Sequence, residues 1–322
     1  VVNEAIGFSL WLDFIERDHL KSEFVKMVEE GVVNGATSNP AIFAASIKSS
    51  PAYLARLKTL TGLSPKARYE TLAIEDIRLA ADVLAPLYKA GRDGFVSIEV
   101  DPFLCDDTDG TVQEGARLFE TIGRPNVMIK VPATEAGYGA MKKLAQKGIP
   151  VNATLIFSPE QALRCLEALE EGNVRAGVLS VFVSRFDRML DQKLAQKGLA
   201  PGRLGMMNAA KIYNLVEGRQ NPAIRTLFAS TGVKGDAYAV DYYIKGLMAP
   251  HSVNTAPLAT IEAFVKNPDH TPKLPLADEA INDYFAKVER AGIEMPKVYD
   301  TLLREGLEAF KTAFAELLTH LE

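Results

Sequence analysis

One alternation constrains this chain more than anything else: short apolar runs followed by longer amphipathic segments, kept up eight times. The runs are SLWLDFI (9–15), VNGATSNPAIF (33–43), GFVSIEVDP (94–102), NVMIKVPAT (126–134), VNATLIFS (151–158), AGVLSVFVSRFD (176–187), TLFASTG (226–232) and HSVNTAP (251–257). Each has strand length and is closed by turn chemistry. The segments between them have helical spacing. In 21–31, Phe24, Val25 and Val28 share a face and Gly31 stops the helix; in 68–91, Ile74, Ile77, Ala81, Leu84 and Tyr88 recur at three and four. Residues 112–123, 136–148, 159–172, 205–218, 236–248 and 258–267 also read as helices, the 159–172 one opened by Ser158 and Pro159 as N-cap and first position. Residues 44–67, rich in Ser, Pro and Lys, read as an irregular or short-helical insertion.

Strands alternating with helices call for a parallel sheet, and eight units at this length suit a closed (βα)8 TIM barrel of the α/β class. The runner-up, a doubly wound sheet, lacks its dinucleotide signature: Gly137 and Gly139 come close in GYGAMK, but Lys142 occupies the third glycine position. We therefore expect residues 1–322 to form one barrel domain, with 276–322 as additional C-terminal helices packing on it. In those helices Leu303, Leu307, Phe310, Phe314, Leu317 and Leu321 make one stripe, expected to lie across the outside of the barrel.

Charge and cysteine content narrow the function. With 36 basic and 41 acidic residues the net charge is −5 and there is no basic block, so neither nucleic acid nor a membrane surface is an expected partner. No apolar stretch approaches about 20 residues, so no membrane-spanning helix is expected. Cys105 and Cys165 stand in unrelated contexts and read as reduced thiols of a cytoplasmic protein. The first 15 residues lack a basic lead and do not read as a signal peptide. Because the chain opens on Val1, a missing short leader is left open. The four histidines are scattered and no P-loop or Cys-His pair is present, so no metal and no cofactor is expected.

In the fourth run, Val127, Ile129 and Val131 share one strand face and Met128 and Lys130 the other. An ammonium in an apolar strand is costly unless paired or discharged, and desolvation makes a lysine nucleophilic toward carbonyls. The plain alternative is an edge-strand lysine with its head in water. In a barrel the active site lies at the C-terminal strand ends. Seven consecutive strands carry polar residues there: Asp13, Asn39, Glu99, Lys130, Asn152 with Thr154, Ser180 with Arg185 beyond it, and Ser230 with Lys234 in the following loop. Singly each has a structural explanation: a turn, a cap, a surface ion pair between Arg185 and Asp187. Desolvating all of them together without purpose would be expensive. The set holds the parts of imine chemistry. Lys130 is the candidate nucleophile, Asp13 and Glu99 a carboxylate pair, and Thr154 a holder of water. Asn39, Asn152 and Ser180 are hydroxyl contacts, and Arg185, Ser230 and Lys234 phosphate contacts.

GATSNPAIF, SIEVDP, MIKVPAT, VNATLIFS and SVFVSRFD, in this order, resemble the transaldolase family, and SLWLDFI with ASTGVK resembles its bacterial branch. The similarity runs from about residue 9 to 266. The resemblance implies a transferase of the pentose phosphate pathway. It would move a dihydroxyacetone unit from sedoheptulose 7-phosphate or fructose 6-phosphate to glyceraldehyde 3-phosphate or erythrose 4-phosphate. It also implies a Schiff base on Lys130, C4-hydroxyl deprotonation by Asp13, and acid/base work by Glu99 with Thr154 and a water. Asn39, Asn152 and Ser180 would contact the dihydroxyacetone unit, and Arg185 the phosphate. The departures are Val181 where many members have proline, Ser184 in place of a glycine, and Lys234 where other branches place an arginine nearer the serine. Two alternatives stand: a fructose 6-phosphate aldolase, whose members are shorter and carry glutamine and tyrosine where Glu99 and Phe182 stand, and a barrel that only binds sugar phosphates. A monomer or homodimer is expected.

Overall fold

Every one of the eight apolar runs contains a strand. They are β1 (Phe8–Leu12), β2 (Gly35–Ala36), β3 (Phe95–Glu99), β4 (Val127–Pro132), β5 (Val151–Ile156), β6 (Gly177–Phe182), β7 (Ile224–Ala229) and β8 (Ser252–Ala256). The structure is a computed structural model and describes residues 3–322; the first two residues of the segment read as no signal peptide lie outside it. The strands pair in parallel in chain order, and β8 returns to β1 with Leu12 opposite Ala256, so the barrel is closed as expected. The intervening helices pack on the outward face of the strands. Leu10, Ile98, Ile129, Ala153 and Leu179 meet Leu72, Ile77, Leu144 and Leu166 of those helices in one buried cluster.

The inward face holds a second cluster that includes Trp11, Phe95, Met128, Val178, Leu227 and Val253. Its filling explains why β2 begins on a glycine. A Cβ at Gly35 would lie 2.4 Å from Cδ1 of the Trp11 indole, a rigid ring with nowhere to go. Below the indole, at the N-terminal pole, Trp11 Nε1 donates to Asp93 Oδ2 at 2.6 Å and Arg225 Nη2 donates to Asp93 Oδ1 at 2.8 Å. The Arg225 guanidinium also lies 5.6 Å from the Trp11 ring.

The insertion after β2 takes its short-helical form, with helices over Pro40–Ser49 and Leu54–Leu57 and a 3-10 turn over Pro51–Tyr53. Asn39 caps a helix over Pro40–Ser49 by accepting from Ile42 N at 2.9 Å, and Pro40 takes the first position. Within 236–248 only Tyr242–Gly246 is helical. There Tyr238 stacks on Tyr242 at 4.8 Å and Tyr242 donates to the Gly202 carbonyl at 2.8 Å, so tertiary contacts set the path instead of helical spacing.

The C-terminal helices are Asp278–Arg290 and Met295–His320. The second does not simply flank the barrel. It touches the Pro40–Ser49 helix, the turn Pro102–Leu104 and β5, all at the C-terminal rim, as well as the Pro65–Lys89 helix. Its apolar stripe is divided between two surfaces. Phe310, with the partly buried Leu303 and Leu307, packs in the cluster that holds Phe157 and Phe186, while Phe314, Leu317 and Leu321 join the outer one beside Phe43 and Tyr69. Tyr299 ties it to the rim by donating to Asn208 Oδ1 at 2.7 Å, and Asn208 in turn donates to the Phe157 carbonyl at 2.6 Å. No helix among the described residues is long and apolar enough to cross a membrane.

Candidate active site

Pleat alternation carries the inward face from apolar to polar along each strand. Trp11 is followed by Asp13, Gly35 by Thr37 and Asn39, Met128 by Lys130, and Val178 by Ser180. Register then sets the polar groups side by side. Glu99 stands opposite Lys130, Lys130 opposite Asn152, and Pro132 opposite Thr154.

Lys130 is 5% exposed, and Nζ donates to the Ser38 carbonyl at 3.0 Å. That carbonyl is itself held, because Ser38 Oγ donates to the Ser97 carbonyl at 2.6 Å. The amine is thus inside the barrel and its head is not in water, which removes the edge-strand alternative.

Two carboxylates face it. Glu99 is 6% exposed, and burial pushes its carboxyl up to about 7. Lys130 opposes that rise and Asp13 adds to it. Its Oε2 is buried without a hydrogen-bond partner, and so is Thr154 Oγ1. Two orphaned polar atoms inside one barrel mouth fit a site built for water or substrate oxygen. Asp13, at the open end of β1, is also raised by burial, against the charge of Lys130 and a hydrogen bond from Thr37 Oγ1 at 2.6 Å.

Asn152 is fully buried between two hydroxyls. Ser180 Oγ donates to its Oδ1 at 2.6 Å, and its Nδ2 donates to Ser97 Oγ at 3.3 Å. Asn39 spends its carbonyl oxygen on the helix cap, so its amide N–H groups are what it can offer a ligand.

Arg185 lies in the first turn of the Ser184–Ala195 helix, its guanidinium 5.1 Å from the Phe182 ring centre. Burial depresses its pKa, Arg188 depresses it further, and Glu305 opposes both. A partly desolvated cation of this kind favours an anionic ligand. It does not pair with Asp187, which is buried, pushed up to about 6 by desolvation, and bonded to Tyr243 Oη at 2.6 Å and Gly205 N at 2.9 Å. Ser230 reaches the same helix start: its carbonyl accepts from Ser184 N at 3.0 Å, and the two hydroxyls are 2.8 Å apart. Lys234, by contrast, is exposed in the loop after β7 and is not drawn into the site.

A family model described as "Transaldolase/Fructose-6-phosphate aldolase" matches residues 10–321. The chain belongs to this family. Among its relatives, the transaldolase of Helicobacter pylori (strain HPAG1) is 44% identical over 313 residues, covering 97% of this chain and 98% of that one. The transaldolase of Campylobacter jejuni subsp. doylei (strain ATCC BAA-1458 / RM4099 / 269.97) is 46% identical over 332 residues, again covering 97% and 98%.

For this member of the family, the mouth collects Asp13, Glu99, Lys130, Asn152, Thr154 and Ser180 on five strands or strand ends, with Asn39, Arg185 and Ser230 on the loops above. Four further participants escaped the sequence reading. Thr37, Ser38 and Ser97 were hidden by their ordinary residue types, although Thr37 shares the inward alternation of Gly35 and Asn39. Thr255 was missed because the last strand was given no site residue; its alternation with Val253 was the available signal.

Proposed function

We propose that this chain is a transaldolase working through a Schiff base on Lys130. One observation carries the reading: an amine buried inside the barrel, in register between Glu99 and Asn152, with Glu99 Oε2 and Thr154 Oγ1 left without partners beside it.

The chemistry follows in steps that balance. Lys130 Nζ adds to the C2 ketone of a ketose phosphate and a proton passes from the nitrogen to the new alkoxide, giving a carbinolamine. A carboxyl still protonated near neutrality suits Glu99 to protonate the leaving hydroxyl, so that water departs and an iminium forms. Asp13 accepts the C4 hydroxyl proton, the C3–C4 bond breaks, and its electron pair flows into the iminium to give an enamine. The aldose phosphate leaves. C3 of the enamine then attacks an acceptor aldehyde, Asp13 returns its proton to the new alkoxide, and water releases the product ketose. The iminium nitrogen is the electron sink throughout. The donors would be sedoheptulose 7-phosphate and fructose 6-phosphate, and the acceptors glyceraldehyde 3-phosphate and erythrose 4-phosphate. Arg185 and Ser230 support recognition of the phosphate, and Asn39, Asn152 and Ser180 that of the hydroxyls. Unpaired Cys105 and Cys165 support a cytoplasmic enzyme, and its proposed partners are the sugar phosphates alone, with the chain a monomer or homodimer.

The test is borohydride reduction in the presence of fructose 6-phosphate, followed by peptide mapping. A dihydroxyacetone-derived adduct on Lys130 is expected, and an unmodified lysine in protein that still binds the sugar would overturn the reading. Because the family also contains aldolases, cleavage is then followed with and without acceptor. Equal rates would make the chain an aldolase instead.

A further inference from the structure

Asp13 has two carboxylate oxygens, and the structure treats them unequally. Oδ1 accepts from Thr37 Oγ1 at 2.6 Å. Thr37 Oγ1 also lies 2.5 Å from Thr255 Oγ1. A hydroxyl carries one proton, so once Thr37 gives its proton to the carboxylate, Thr255 must donate to Thr37. The order Thr255 to Thr37 to Asp13 therefore has a single direction.

Both ends of this chain are fixed by the backbone. Asp13 N donates to the Ala256 carbonyl at 2.9 Å and Thr37 N to the Leu12 carbonyl at 2.9 Å. The Thr255 carbonyl accepts from Thr231 Oγ1 at 2.7 Å. Thr37 and Thr231 are fully buried and Thr255 is 4% exposed, so water does not compete for these bonds. Asp13 itself is only partly buried and opens toward the mouth.

We propose that Thr37 is the positioning residue of the cleavage base: fed by Thr255, it occupies Asp13 Oδ1 and leaves Oδ2 alone to take the C4 hydroxyl proton. The proposal rests on the Schiff-base reading above and assigns a task to β2 and β8 that the reading does not require. Two β-branched side chains, stiff at χ1, suit it, because the base is then held in one rotamer. The hydrogen bond also favours the ionised carboxylate that proton abstraction needs. The charged groups facing Asp13 are Lys130 of β4, which favours ionisation, and Glu99 of β3, whose charge couples unfavourably with it. Thr37 adds to the first of these without adding a charge.

Trapping and cleavage are measured separately on Thr37→Val, Thr37→Ser and Thr255→Val. Borohydride trapping at Lys130 is read first in the parent; no adduct there overturns the Schiff-base reading, and this proposal falls with it. With trapping established, Thr37→Val should give the uncleaved six-carbon adduct of fructose 6-phosphate on Lys130 at the parent rate, while single-turnover release of glyceraldehyde 3-phosphate falls by about tenfold or more, as expected for losing a hydrogen bond to a charged group. KM should stay within about twofold, and the acid limb of the cleavage pH profile should move to higher pH. Thr37→Ser should restore rate and profile. Thr255→Val should displace both in the same direction as Thr37→Val, by less. Cleavage by Thr37→Val with the parent's rate and pH profile would overturn the proposal. So would a Thr37→Ser variant as slow as the valine one, since that would make the methyl group, not the hydroxyl, the part that matters.

Discussion

Gly306 of the Met295–His320 helix approaches Arg185 so closely that a Cβ there would lie 3.1 Å from Nη1 of the guanidinium and 2.9 Å from Leu155 Cδ2. Any side chain at this position would have to displace the ends of the Leu155 and Arg185 side chains. The glycine therefore leaves room for the cation proposed to hold the substrate phosphate. Gly306→Leu is expected to push Arg185 aside and to raise KM for fructose 6-phosphate by about tenfold while moving kcat less. The measurement is a KM comparison with unphosphorylated fructose as control. An equal rise for both sugars would show that the helix, not the guanidinium, had been disturbed.

Arg185 and Lys234 separate two accounts of the phosphate site. Arg185 is partly desolvated over Phe182, whereas Lys234 is exposed. Arg185→Ala should reduce kcat/KM for phosphorylated donors by about 30-fold or more, the cost of a charge-assisted contact. Lys234→Ala should change it by less than about twofold. A larger loss for Lys234 would mean that the loop after β7 closes on the bound substrate.

Glu99 makes stability depend on pH in a direction opposite to most surface acids. In the folded chain it titrates near about 7, against 4.5 ordinarily. Between those pH values the native state binds more protons than the unfolded state, so stability falls as pH rises through the window. Glu99→Gln removes the penalty. Its unfolding free energy relative to the parent should climb between about pH 5 and about pH 8, by an amount on the order of 1–3 kcal/mol. The same substitution should slow imine trapping at every pH and flatten its dependence on pH around about 7. Parallel melting curves across the range would mean Glu99 is ionised throughout.

At the opposite pole, Asp93 receives both Trp11 Nε1 and Arg225, and its side chain is 5% exposed against 17% for Arg225. Asp93→Asn keeps a residue type that tolerates its φ of 80° but leaves the Arg225 charge uncompensated. Denaturant unfolding should show a loss of about 1–3 kcal/mol. The kcat should stay within about twofold, because active sites of this fold lie at the other strand ends. A large fall in kcat would show that the indole transmits strain to Asp13, two residues further along β1.

The barrel was legible because parallel strands buried on both faces must be apolar and must alternate with helices, and all eight runs say so. The proposed nucleophile was legible because an ammonium between Ile129 and Val131 is costly and the polar groups on neighbouring strand ends outweigh the edge-strand explanation. What stayed hidden was hidden by chemistry of low contrast. Thr37 and Thr255 are ordinary strand residues, and only register places their hydroxyls 2.5 Å apart. The composition of 44–67 allows short helices but does not mark their start, which the Asn39 cap and Pro40 place ahead of that segment. The long C-terminal helix shows one stripe in sequence but serves two surfaces in space, and periodicity alone does not encode that division.

Closure of the barrel joins β1 to β8, with Leu12 opposite Ala256. During synthesis β1, which Asp13 follows, emerges before the seven strands after it and waits for the last of them before its second neighbour exists. Until then one flank of β1 is an open edge, and Asp13 lacks the partners that Thr255 completes. Contacts so distant in sequence are slow to form and leave partly built sheets prone to association. The acid that would break the carbon–carbon bond is therefore among the last groups in the molecule to acquire its working geometry, and a ribosome-bound intermediate lacking the eighth strand should hold an amine without a competent base.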